Sequence, residues 1–265
     1  MFRGMPIGTA APTPSQLARV RHHFVGHLAL TDYYSAAQFE ADVMALLPRL
    51  WEKSDYAVMC GGSMMYIDAV CNGIDVLPTV DNDVRQHAWD IYNNGGLDAL
   101  CRRLGQIDPE YLRRAPDLRN HKRLIHALEV SMQAGAPYSS LCTGAKKQRP
   151  FRIVKVAIDW PREILFDRIN RRVEAMIEAG FEAEAARLYP MRHLNALNTV
   201  GYKELFAVID EAMDRPTAIA RIAKNTRVYA KKQLTWMRRD QSVIHLTPSR
   251  PLLPQVLNAL PHSQK

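Results

Sequence analysis

The stretch that most constrains the fold is "SDYAVMCGGSMMYIDAVCNG", residues 54–73. An apolar run from Tyr56 to Cys60 ends in Gly61-Gly62-Ser63, and a second apolar-periodic segment follows at once. Strand, tight turn and helix in that order form an α/β unit, with the turn at the carboxyl end of the strand. The two glycines let a backbone approach a ligand closely, and amides at a following helix N-terminus favour an anion. Ser63 offers a hydroxyl beside them, although a serine here also serves as an ordinary N-cap.

The surrounding pattern places this unit in a larger plan. Residues 15–29 and 36–52 predict helices, the second with Phe39, Val43, Leu46, Leu47 and Leu50 on one face. From Pro78 the chain becomes a series of short amphipathic segments punctuated by Gly and Pro, without a strand candidate, so residues 78–146 read as a helical insertion. "FRIVKVAID" at 151–159 returns to a buried-strand pattern. A helix pair, a long helix around 216–239 and a loosely packed tail at 250–265 follow. The expected organisation is an α/β core in two parts, 1–77 and 147–265, flanking the insertion.

Composition narrows the class. With 47% hydrophobic and 23% charged residues the chain is ordinary for a soluble globular protein. No stretch reaches the ~20 apolar residues of a membrane span, and no signal-like apolar region opens the chain. Cys60, Cys71, Cys101 and Cys142 form no CxxC pair and lie at no zinc-ligand spacing, so they read as reduced thiols of a cytoplasmic protein, with Cys60 and Cys71 in the core. Neither a Walker A loop nor an H-x-E or HExxH motif is present, and no acid pair stands out as a base.

The charge is unevenly spread. Thirty-five Lys and Arg against 27 Asp and Glu give +8. Seven of the cations fall between Arg221 and Arg239 without a single acid, and Lys224, Arg227, Lys231 and Arg238 share one helical stripe. A one-signed run interleaved with Tyr229, Gln233, Thr235 and Trp236 offers phosphate contacts beside stacking and amide groups, the equipment of an RNA surface as well as of a solvated face. Arg168 and Arg172 are four apart in "DRINRRVEAMIEAG" and share a face opposite Ile169, Val173, Met176 and Ile177. Such arginines suit a phosphate, or a surface pairing with Glu174 or Glu178. In the insertion, Lys122, Arg123 and His126 share one side of "NHKRLIHALEV", and Arg85 begins the first helix.

Taken together, "RGMPIGTAAPT", "YSAAQF", "GGSMMYIDAVCNG", "KRLIHALEV", "RINRRVEAMIEAGFEAEAARL", "NTVGYKEL" and "YAKKQLTWMRR" resemble the tRNA dimethylallyltransferase family in order and spacing, from about residue 3 to about residue 240. The resemblance implies a P-loop NTPase-like parallel sheet with an all-helical insertion that embraces a tRNA anticodon stem-loop. It implies transfer of a dimethylallyl group from dimethylallyl diphosphate to N6 of the adenosine 3′ to the anticodon, in a cytoplasmic monomer assisted by Mg²⁺, for which this chain shows no identifiable ligand. The target base leaves its stack, because the chemistry cannot reach a stacked adenine.

Carried onto this chain, the resemblance makes Ser63 and Arg172 catalytic, with Ser63 standing where the family has Thr. It gives Gly61, Gly62 and Arg168 to the diphosphate. It gives Arg85, Lys122, Arg123, His126, Lys224, Arg227, Lys231, Gln233 and Arg238 to the tRNA. His126 stands where the family usually has Arg, and Ala11 where many members have Lys. In the family a first strand, a Walker-A-like loop and a D-S-x-Q segment holding the general base precede "RGMDIGT". The expectation is therefore a chain lacking its phosphate cradle and base, with little transferase activity. Two other readings stay open at this point: an RNA-binding module without chemistry, and an isopentenyltransferase acting on free adenine nucleotides.

Overall fold

The computed structural model describes residues 1–115 and 117–261. The chain divides into two compact units, one of residues 1–34 and 152–265 and the other of residues 35–151. These divisions fall elsewhere than the sequence pattern suggests. Segment 35–77 packs with the helical insertion rather than standing apart from it, because buried polar contacts join its helices to the strap at 144–149.

The second unit begins with α1 of its own sequence neighbourhood left behind: α1 (Pro14–Arg19) belongs to the first unit, whereas α2 (Ala36–Trp51) and α3 (Met64–Asn72) belong to the second. The expected helix at 15–29 is cut short at Arg19, and the capping box of Thr13 with Gln16 marks its start. A second capping box, Ser35 with Gln38, starts α2. The insertion consists of α4 (Asn82–Ile107), α5 (Pro109–Arg114), α6 (His121–Ala134) and α7 (Tyr138–Leu141), with no strand among the described residues. Gly96, at φ 63°, breaks the helical path inside α4, where the Asn-Asn-Gly-Gly punctuation falls.

Leu100, Leu104, Leu124 and Leu128 are fully buried where α4 meets α6. Asp108 closes this bundle from inside. Its carboxylate accepts from the Tyr111 amide (2.9 Å), the Ser139 amide (2.7 Å) and the Ser139 hydroxyl (2.7 Å). Burial alone would raise its pKa, but these donors hold it below the ordinary aspartate value. Glu40 on α2 is likewise buried, accepting from Lys147 Nζ (3.0 Å) and Arg149 Nη2 (2.7 Å). Arg149 also donates to the carbonyls of Ala69 and Val70 at the end of α3.

The first unit contains the sheet. Strands β1 (Val156–Ile158) and β2 (Ile244–Leu246) pair in parallel, Ala157 opposite His245. Between them run α8 (Arg162–Glu178), α9 (Phe181–Leu188), α10 (Tyr202–Ile209) and α11 (Arg215–Met237), and α12 (Leu252–Ala259) follows β2. Asp214 caps α11 by accepting from the Thr217 amide, and Pro216 sits in its first turn. Phe181, Tyr202, Leu197 and Ile222 centre the core, joined by Met5 from the start of the chain.

Two sequence expectations are corrected. Tyr56–Cys60 forms no strand among the described residues. A strand exists only beside another strand, and among the described residues no strand pairs with this run; Val58 is 91% exposed. Cys60 is accordingly exposed, while Cys71 on α3 is buried as expected.

Candidate nucleic-acid and diphosphate surfaces

The predicted site residues fall into three groups, two in the second unit and one in the first. Ser63 occupies the N-cap position of α3, with its carbonyl accepting from the Ile67 amide at 3.0 Å. Its hydroxyl makes no capping bond. The simple structural use of this serine is therefore unfilled, and the exposed Oγ stays available to a ligand. Gly61 is also exposed, and a Cβ there would meet no atom within 4 Å, so packing does not demand its glycine. Gly62 lies between them, half-buried.

In the insertion, Lys122, Arg123 and His126 all face solvent along α6, while Leu124, Ile125 and Leu128 of the same helix are buried. Arg85 on α4 and His126 meet at one carboxylate. His126 Nδ1 donates to Glu129 Oε1 at 3.1 Å, and Arg85 Nε donates to Glu129 Oε2 at 3.4 Å. One turn along, the Asp81 amide donates to Gln133 Oε1 and Gln133 Nε2 donates back to Asp81. The two helices are thus laced together at the base of the basic face. Glu129 lies three residues after His126, a helical spacing that sequence could have flagged, but nothing local predicts its reach to Arg85.

The first unit holds the remaining cations. Arg168 and Arg172 are exposed on α8 opposite the buried Ile169 and Val173, as the periodicity predicts. Among the described residues neither pairs with a carboxylate; Asp167 is taken by Arg171 instead. The Arg168 guanidinium lies 4.5 Å from the centre of the Trp160 ring. On α11, Lys224 and Lys231 are exposed along the helix, Gln233 is half-buried and Arg238 caps the end. Arg227 turns to α8 and donates to Asn170 Oδ1. Arg227 and Lys231 also share the ring of Phe166, at 6.0 and 5.5 Å from its centre. Phe166 and Asn170 carry no charge, and they meet Arg227 and Lys231 only where α8 packs on α11.

No group of three or more His, Cys, Asp or Glu among the described residues could hold a metal ion. No helix of the described residues is long and apolar enough to cross a membrane.

A family profile described as IPP transferase matches residues 1–240. The chain belongs to the IPP transferase family. Within that family, it is 52% identical over 250 residues to tRNA dimethylallyltransferase 1 of Phocaeicola vulgatus, covering 94% of this chain and 83% of that protein. The full-length tRNA isopentenylpyrophosphate transferase of Bacillus halodurans is similar in structure at a TM-score of 0.67 and 30% identity, over 97% of this chain and 82% of that one. A eukaryotic dimethylallyltransferase shares the fold at a TM-score of 0.75 and 19% identity, over 100% of this chain and 72% of that one. The IPP transferase architecture is thus the expected P-loop NTPase-like α/β fold, here rich in helix with a small parallel sheet.

Proposed function

We propose that this IPP transferase moves a dimethylallyl group from dimethylallyl diphosphate to N6 of the adenosine 3′ to the anticodon of tRNA, acting as a cytoplasmic monomer. The observation that carries the reading is the set of cations Arg168, Arg172, Lys224, Arg227 and Lys231 on α8 and α11, none ion-paired among the described residues, in a chain about half identical to a tRNA dimethylallyltransferase. A small nucleotide would leave so long a basic surface without a partner.

In this reading the adenine amine attacks the allylic carbon, the carbon–oxygen bond to diphosphate breaks with its electron pair staying on the diphosphate, and the amine's proton passes to a general base or to solvent water. Negative charge grows on the departing diphosphate. Arg172, with Arg168 beside it, is suited to meet that charge through its guanidinium fork. The uncapped Ser63 hydroxyl and the amides around Gly61 and Gly62 supply neutral donors to phosphate oxygens. Arg85, Lys122, Arg123 and His126 on the insertion, and Lys224, Arg227, Lys231, Gln233 and Arg238 on α11, contact the anticodon stem-loop. Mg²⁺ is the family's expected companion to a diphosphate, where it would help neutralise the charge of the leaving group.

The test is an incubation of the protein with dimethylallyl diphosphate, Mg²⁺ and unmodified tRNA, read by mass spectrometry of the nucleosides. N6-dimethylallyladenosine beside the anticodon supports the proposal. Modification of AMP but not of tRNA, or tight stem-loop binding without product, overturns it in favour of a nucleotide enzyme or an RNA-binding protein.

A further inference from the structure

Three cations from two helices converge on one aromatic ring. Around the centre of Phe166 lie the Arg162 guanidinium at 5.2 Å, the Lys231 ammonium at 5.5 Å and the Arg227 guanidinium at 6.0 Å. None of the three pairs with a carboxylate among the described residues, and α11 contains no acid at all. Mutual repulsion of like charges at such spacing opposes this arrangement unless something offsets it. A carboxylate would order the cations and cancel their charge. The quadrupole of a phenyl ring orders them and leaves the charge intact. Asn170 adds a neutral tether by accepting from Arg227 Nη1, again without cancelling charge.

We propose that Phe166 is the positioning residue of a phosphate-binding patch, formed by Arg162, Arg227 and Lys231 at the α8–α11 seam, that grips consecutive phosphodiesters of the RNA backbone. Arg162 and Phe166 lie outside the residues assigned to tRNA on sequence grounds, and the inference rests on the proposed RNA substrate. The ring holds three positive charges poised and unneutralised, a state that an RNA backbone relieves by releasing its counterions. A backbone suits the patch better than one small anion, because the three cations sit on separate side chains of two helices, so successive phosphates along a strand can each meet one.

Binding of a fluorescent anticodon stem-loop is measured at several salt concentrations for the parent and for Phe166→Leu, Phe166→Trp, Arg162→Gln and Lys231→Gln, with melting curves to verify folding. Leucine fills the same apolar space without a quadrupole. Phe166→Leu is expected to weaken binding roughly 3- to 10-fold, and Phe166→Trp, with its stronger ring, to keep or exceed parent affinity. Arg162→Gln and Lys231→Gln are each expected to flatten the slope of log K against log salt by about one. A folded Phe166→Leu protein binding as tightly as the parent overturns the proposal, as does an Arg162→Gln protein that loses inorganic diphosphate and keeps the RNA. A parent that fails to bind the stem-loop at low salt overturns the tRNA reading itself; a parent that binds alongside unaffected variants overturns the patch alone.

Discussion

Tyr202 donates its hydroxyl to Glu184 at 2.6 Å, with both side chains buried in the core of the first unit. Glu184 also accepts the backbone amides of Ile7 and Gly8, each at 2.9 Å, so one carboxylate pins the "MPIGT" turn onto α9 and α10. Burial and the neighbouring Glu184 charge push the Tyr202 phenol far above its ordinary pKa, so it remains a donor at every working pH.

Tyr202→Phe is therefore expected to destabilise the protein by about 1–2 kcal/mol, because the buried carboxylate loses one of its three donors. Gly8→Ala attacks the same turn from the other side. A Cβ there would lie 2.5 Å from the Phe181 and Tyr202 rings, which overpacks the site at a cost of about 1–3 kcal/mol. Chemical denaturation of the two variants measures both effects.

Glu40 predicts an acid response. Burial alone would raise its pKa, but Arg149, Lys147 and the Ile74 amide outweigh it and hold the group below the ordinary glutamate value. A carboxyl depressed in the folded state stabilises above its unfolded pKa of about 4.3 and loses that contribution as pH falls through the lower folded value. Stability measured by urea from pH 6 down to pH 3 should fall, and Glu40→Gln should reduce that dependence. Glu40→Ala, which strands the nearly buried Arg149 guanidinium, should lose about 3–5 kcal/mol at neutral pH.

Glu129 offers a test of sign. By charge alone, removing an acid beside a phosphate-binding face should tighten RNA binding. Glu129 instead holds Arg85 and His126 in place, so Glu129→Ala is expected to weaken stem-loop binding roughly 3-fold or more. Fluorescence anisotropy at two salt concentrations decides, and tighter binding would sink the idea.

Arg172→Gln separates chemistry from binding. If its guanidinium meets the diphosphate charge that grows as the bond breaks, kcat should fall about 10²- to 10³-fold while stem-loop affinity stays near that of the parent. Single-turnover assays with saturating tRNA check this directly.

Much of the helical architecture was legible because it is local. The periodicity that buries Ile169 and Val173 and exposes Arg168 and Arg172 acts within a few residues, and so do the caps of α2 and α11. So too was the family, since its motifs are long and ordered. The apolar run Tyr56–Cys60 departs from the expected strand for a reason of the opposite kind. Its composition fits a strand, but strand pairing depends on a neighbour that no local pattern specifies.

By itself, then, the sequence determined most of the helices, though not the early end of α1 at Arg19 or α12 within the expected tail, together with the one-signed basic run and the family. Tertiary structure alone decided what those charges do. Glu184 meets Gly8 from 176 residues away, Arg149 meets Glu40 from 109, and Phe166 gathers cations from a helix that begins at Arg215. A side chain's periodicity tells which way it faces along its own helix. Which charge or ring stands opposite depends on how the chain closes its long loops, and no spacing within a single segment encodes that.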